Sequence, residues 1–202
     1  MSWLDKIVSA FSVKAAPAPQ PAPVPPPVPT RAAPSAPVTK PGQFLFNNSA
    51  IVALDEQVKA DIRIELAGCK QLKSLPAGLK TGTLDLTGCT ALEHLPTGLD
   101  VAFLDLADCT ALDALPDDLK LRGGRLNLRN CAKVSRLPAN MGSVAQLDLS
   151  GCKNITDLPS GLTITSWIDI GRSGISTLPA SLSHLSVRRD GKAVAADEAF
   201  AA

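Results

Sequence analysis

Six times between Ile64 and Leu182, apolar residues return in the same order. Two stand either side of a single, mostly acidic residue, a cysteine follows in the first five units and a serine in the sixth, then another aliphatic residue, then a Leu-Pro pair and a final leucine or methionine. LDLTGCTALEHLPTGL, residues 84–99, comes back as LDLADCTALDALPDDL at 104–119 and as LDLSGCKNITDLPSGL at 147–162. The alternation at the head of each unit predicts a short strand with its two leucines turned inward and the residue between them outward. Repetition at a fixed period then predicts that successive strands stack in parallel, about 4.8 Å apart. After each strand the chain must turn. The residues before the cysteine slot are Gly68, Gly88, Asp108, Asn130, Gly151 and Arg172, and those two after the proline are Gly78, Gly98, Asp118, Asn140, Gly161 and Ser181. Gly, Asn and Asp tolerate positive φ, so two turn points per coil are expected. Between them the Leu-Pro segment is expected as an extended or 3-10 return path rather than a long helix. A last half unit, LSV, begins at Leu185 and would continue the outward column with Ser186.

The 17 prolines divide the chain. Six belong to the repeat: Pro76, Pro96, Pro116, Pro138, Pro159 and Pro179. The other eleven lie between Pro17 and Pro41, where missing N–H donors and fixed φ favour extended polyproline II over helix or sheet. Ahead of them Trp3, Leu4, Ile7, Val8 and Phe11 fall on one face of a short helix. Ser49 is placed to cap a helix through Ile51, Leu54 and Val58, which would cover the open end of the array. The expected organisation is an amphipathic docking peptide at 1–14, a disordered proline-rich linker at 15–48, a helical cap at 49–61, the repeat domain at 62–188 and a tail at 189–202.

A formal net charge of +1 over 202 residues offers no bulk attraction to nucleic acid, and none is expected as a partner. No window reaches the roughly 18 apolar residues of a transmembrane helix, though the first helix could touch a membrane surface weakly. The five cysteines, Cys69, Cys89, Cys109, Cys131 and Cys152, fill one slot as a structural ladder, and Ser173 fills it in the sixth unit. There is no C-x-x-C spacing and only two histidines, so no metal is expected; nor is any cofactor. Reduced thiols point to a cytoplasmic protein.

The pattern L-x-L-x-x-C-x-x-L-x-x-L-P resembles the leucine-rich repeat. Its Leu-Pro return path, above all LPASLSHLSV at 178–187, is similar to the short repeats of bacterial effector proteins, and the GC-x-x-L-x-x-LP form to repeats of plant immune receptors. The resemblance implies an α/β solenoid, a right-handed coil with parallel strands on a concave face and extended or 3-10 segments on a convex one. It implies protein binding without chemistry, as an adaptor or, alternatively, as a secreted effector engaging a host protein. Some such effectors carry a ubiquitin-ligase domain with a catalytic cysteine. Here RRDGKAVAADEAFAA follows the repeats and holds none, so that activity is not carried over.

On the expected concave face the outward column is Glu65, Asp85, Asp105, Asn127, Asp148 and Asp169. Neighbouring unit charges at that spacing repel by roughly 1 kcal/mol even in water, so the column needs neutralising. Two readings stay open. Arg125 and Arg129, either side of Asn127, could pair with Asp105 and Asp148 and leave a self-satisfied solvated face. Alternatively these residues form a binding surface with Phe103 and Trp167 as aromatic anchors and the carboxylates selecting a basic partner segment. A column of equivalent carboxylates, with no nucleophile evident beside His94 or His184, gives no support to an enzyme.

Overall fold

A computed structural model describes residues 38–40, 43–45 and 63–194 of the chain, the first two segments by their backbone pairing. The docking peptide, most of the linker and the expected cap helix lie outside the described residues.

The L-x-L heads become strands. β1 (Val38–Lys40) and β2 (Gln43–Leu45) precede β3 (Arg63–Glu65), β4 (Lys80–Asp85), β5 (Asp100–Asp105), β6 (Lys120–Asn127), β7 (Gly142–Asp148), β8 (Thr163–Asp169), β9 (Ser186–Arg189) and β10 (Lys192–Val194). All ten join one sheet in chain order, parallel from β2 to β9 and antiparallel at both edges. The result is a β-solenoid of about six turns. The described residues do not show the expected α/β mixture. Among the described residues one three-residue 3-10 turn, Ala180–Leu182, is the sum of the helix, and no helix is long and apolar enough to cross a membrane. Proline and positive-φ turn residues recur too often for a helix to nucleate.

Side chains stack in columns through the solenoid. Ile64, Leu84, Leu104, Leu126, Leu147, Ile168 and Val187 form one inward column, and Leu66, Leu86, Leu106, Leu128, Leu149 and Ile170 the next, all at most 3% exposed. Each buried leucine contributes on the order of 2 kcal/mol by leaving water. The backbone ladder runs past the strands into the first turn, where the N–H of Leu86 donates to the carbonyl of Asp105 and that of Gly88 to Ala107, both at 2.8 Å.

That turn is as expected: Gly68, Gly88, Asp108, Asn130, Gly151 and Arg172 all have positive φ. The second turn is not uniform. Only Gly78 and Gly98 are left-handed there. Leu119, Leu162 and Leu182 instead donate their N–H back to the carbonyls of Pro116, Pro159 and Pro179, a tight turn needing no positive φ. Asp118 takes a different part, its carboxylate accepting the N–H of Gly98 at 2.7 Å.

Each cysteine is buried, and no disulfide joins two of them. The thiols of Cys89, Cys109, Cys131 and Cys152 donate to the carbonyls of Leu66, Leu86, Leu106 and Leu128 one coil back, at 3.2, 3.1, 3.0 and 2.9 Å. Those carbonyls also accept the N–H of the cysteine in their own coil, so the thiol uses a second lone pair that would otherwise face the core. Ser173 breaks the ladder and turns to its own coil, donating to Ile170 at 2.7 Å.

Two segments outside the expected repeat domain supply strands to the sheet. Residues 38–45 fall inside the expected linker, yet β2 pairs with β3 in the register Phe44 to Ile64. The expected tail contains β10. Both additions cover a sheet edge that would otherwise present unpaired N–H and C=O groups.

The last unit is also set differently. Ser186 was expected opposite Asp169, but the register pairs Trp167 with Ser186, Ile168 with Val187 and Asp169 with Arg188. Leu182 to Val187 is then the same five-residue step as Leu79 to Leu84, and the outward column ends on Arg188. His184 precedes β9 and borders a depression of about 400 Å³ with Thr163, Thr165 and Ser181.

Candidate functional site

Parallel pairing places the outward residues as expected. Glu65, Asp85, Asp105, Asn127, Asp148 and Asp169 form one continuous column, and Arg63, Thr83, Phe103, Arg125, Gln146 and Trp167 form the column beside it.

The carboxylates, however, mostly serve the backbone. Each folds over the turn that follows it: Thr87, Ala107, Ser150 and Gly171 donate their N–H groups to Asp85, Asp105, Asp148 and Asp169 at 2.9 to 3.1 Å. Asn127 does the same for Arg129 at 3.1 Å. This is an Asx turn in five consecutive coils, so a short side chain ending in oxygen is required whatever the face binds. Further donors fill the oxygens. The hydroxyl of Thr87 reaches Asp105 at 3.1 Å, the amide of Asn127 reaches both oxygens of Asp105 at 2.9 and 3.0 Å, and Ser150 gives Asp148 a hydroxyl at 2.6 Å. Neutral Asn127 thus splits the column and donates to one half of it. Glu65 pairs with Arg63 on its own strand.

Asp169 is 2% exposed and Asn127 6%, so these two expected contact residues act from beneath the surface. Beyond Gly171, Asp169 accepts the N–H groups of Asp190 and Gly191, both left-handed, in the two-residue turn joining β9 to β10. That is the backbone of a type I′ hairpin.

The arginines do not do what the sequence suggested. Neither Arg125 nor Arg129 reaches a carboxylate among the described residues. Arg125 extends past Gln146 to lie 5.8 Å from the centroid of the Trp167 ring, and Arg188 lies 4.3 Å from the same ring. The Nε of each is buried and has no hydrogen-bond partner among the described residues. Among the described residues Phe103 is the exposed large hydrophobic side chain, at 53%. It borders a shallow depression of about 330 Å³ with Arg63, Thr83, Asp85, Asp105 and Arg125.

Burial pushes the thiols up, Cys89, Cys109 and Cys152 to about 12 and Cys131 in the same direction, which makes them poor nucleophiles. Among the described residues no group of three His, Cys, Asp or Glu side chains is placed to hold a metal ion.

Sequence reasoning located Phe103, Trp167 and the column, set Arg188 in a flanking column rather than at the end of the outward one, and missed the hairpin. The signal for the hairpin was present as Asp190-Gly191, a dipeptide strongly favoured in such turns. No family model, no curated protein and no solved structure matches the chain.

Proposed function

We propose that the chain is a non-enzymatic protein-binding module, a leucine-rich repeat of the short Leu-Pro kind whose outer sheet face receives a partner protein. The exposure of Phe103 on that face carries the reading. Fully apolar side chains half in water at the centre of a regular sheet stabilise little in the free protein, whereas aromatic side chains ringed by charge anchor protein interfaces. Arg125, Arg129 and Trp167 are its accessible companions. Asn127 and Asp169 hold the face in shape. The N-terminal peptide with Trp3, Ile7 and Phe11 is proposed as a second docking element on its proline tether, which would make the chain an adaptor.

Phe103→Ala tests this by quantitative capture from lysate, beside a thermal melt. A saturable protein captured by the wild type and lost by a variant of unchanged melting temperature supports the reading. Equal capture by both sinks it.

A further inference from the structure

We propose that the partner segment is acidic, an extended peptide that lies across the strands from Phe103 to Arg188 and gives its carboxylates to Arg125 and Arg188. The proposal rests on the protein-binding reading above and reverses the partner charge that the acidic column suggested.

Three observations carry it. First, the carboxylates of the face are already engaged: Asp105, Asp148 and Asp169 each accept at least two donors from the chain itself. Second, two guanidiniums on the same face form no ion pair or hydrogen bond among the described residues, although carboxylates run alongside them. Trp167 stands between them in strand order, with Arg125 on β6 and Arg188 on β9, and both approach its ring. Stacking on an aromatic face holds a guanidinium in one orientation, so little freedom remains to be lost when a carboxylate arrives. Third, the residues directly beside Arg125 are uncharged, although Asp105 borders the same depression. The neighbours of Arg125 in the flanking column are Phe103 and Gln146, and the outward residue of its own strand is Asn127. The carboxylate beside Arg188 is Asp169, which is buried.

Four strand steps separate Phe103 from Arg188, about 19 Å, which an extended segment of about six residues spans. An apolar side chain at one end would meet Phe103, and carboxylates further along would meet the two arginines in charge-assisted pairs.

The test is fluorescence anisotropy on the full chain with a short labelled peptide of glutamates and one leucine, and the lysine counterpart as control. Saturable binding of the glutamate peptide, tighter than the lysine peptide, is expected. Arg125→Gln with Arg188→Gln should weaken it about tenfold or more, whereas Lys133→Gln with Lys153→Gln, the same charge change on exposed residues elsewhere, should not. Trp167→Leu keeps both charges but removes the ring that orients them, and should also weaken binding; it decides the matter if the double arginine variant fails to fold. Equal weakening by the lysine pair would mean diffuse attraction and overturn the proposal, as would no binding by the wild type. Binding only after Asp197→Asn with Glu198→Gln would assign the face to the chain's own tail and overturn the partner assignment. Capture that depends on Phe103 without glutamate binding would remove this proposal alone. Capture independent of Phe103 would remove the reading beneath it.

Discussion

The carboxylate of Asp169 holds the backbone of Gly191, its Oδ2 accepting that residue's N–H at 2.5 Å while Oδ1 takes the N–H of Asp190 at 3.0 Å. The turn of the last hairpin is therefore fastened to the preceding coil through its backbone by Asp169, beside the ion pair of Arg172 with the Asp190 side chain at 2.7 Å. Gly171 makes the approach feasible, since a Cβ there would lie 2.3 Å from the nitrogen of Asp190.

Removing the Asp169 side chain should loosen the C-terminal edge first. Asp169→Ala leaves three N–H groups without their acceptor and is expected to lose about 3 kcal/mol in urea unfolding, while Asp169→Asn, which keeps one acceptor oxygen for Gly171 and Asp190 but turns an NH2 on the N–H of Gly191, loses about 2 kcal/mol. Amide exchange at Asp190 and Gly191 should accelerate more than at the β4 and β5 amides. Uniform acceleration throughout would contradict a local fastening.

The thiol ladder makes the fold sensitive to alkali. Burial raises Cys89, Cys109 and Cys152 from an ordinary 9.0 to about 12, and Cys131 moves the same way. Above pH 9 the unfolded chain releases these protons while the folded chain keeps them. Stability is thus fully present below about 9 and falls as pH rises toward 12, by about 1.4 kcal/mol per pH unit for each thiol. Urea midpoints measured at pH 8 and pH 10 should differ steeply. The slope should shrink in a Cys89→Ala, Cys109→Ala variant, even though that variant is weaker at pH 8. A flat profile across this range would refute the ladder's protonated state.

What could be read from the sequence was what repeats. The strand heads, the inward columns and the first turn followed from residues recurring at one spacing, so that even Arg172 was correctly placed at a left-handed position by its slot alone. Features that occur once were harder. The interval from the leucine after the proline to the inward strand residue is five residues at Leu79 to Leu84 but seven at Leu119 to Leu126, so the end of the array could be set in register by its apolar pattern or by its spacing, and the pattern of Leu185 and Val187 misled. Asp118 resembled a turn glycine in chemistry, yet its carboxylate is used across coils. The charge of the outward column was legible; that its oxygens would bend back onto the next turn was not, because an exposed and an Asx-turned aspartate share one pattern.

The two residues that lengthen the fourth coil make a sharper test of the backbone. Gly123 has φ +75 with nothing nearer than Ser143 Oγ at 3.9 Å, whereas a Cβ on Gly124 would lie 1.9 Å from the carbonyl oxygen of Ala102. Gly123→Ala should therefore lose only the left-handed strain, about 1 kcal/mol. Gly124→Ala must push β6 away from β5 and is expected to lose about 3 kcal/mol or more, and to disturb Phe103 and Arg125 on the face above. Equal losses would argue against the close approach.

The column itself divides into replaceable and irreplaceable carboxylates. Asp85 accepts one backbone N–H through Oδ1, a role an amide oxygen performs as well. Asp85→Asn should therefore leave stability within about 0.5 kcal/mol and relieve repulsion from Asp105. Asp105 faces donors on both oxygens, with the Nδ2 of Asn127 between them. In Asp105→Asn one of those oxygens becomes an NH2 directed at another NH2, and a flip only moves the conflict to the Ala107 N–H. A loss of about 2 kcal/mol is expected, recovered in part by Asn127→Asp, which restores a donor and acceptor facing each other across β5 and β6. If Asp85→Asn and Asp105→Asn cost the same, the bridge through Asn127 would not be what relieves the column, and its neutralisation would have to come from the solvent.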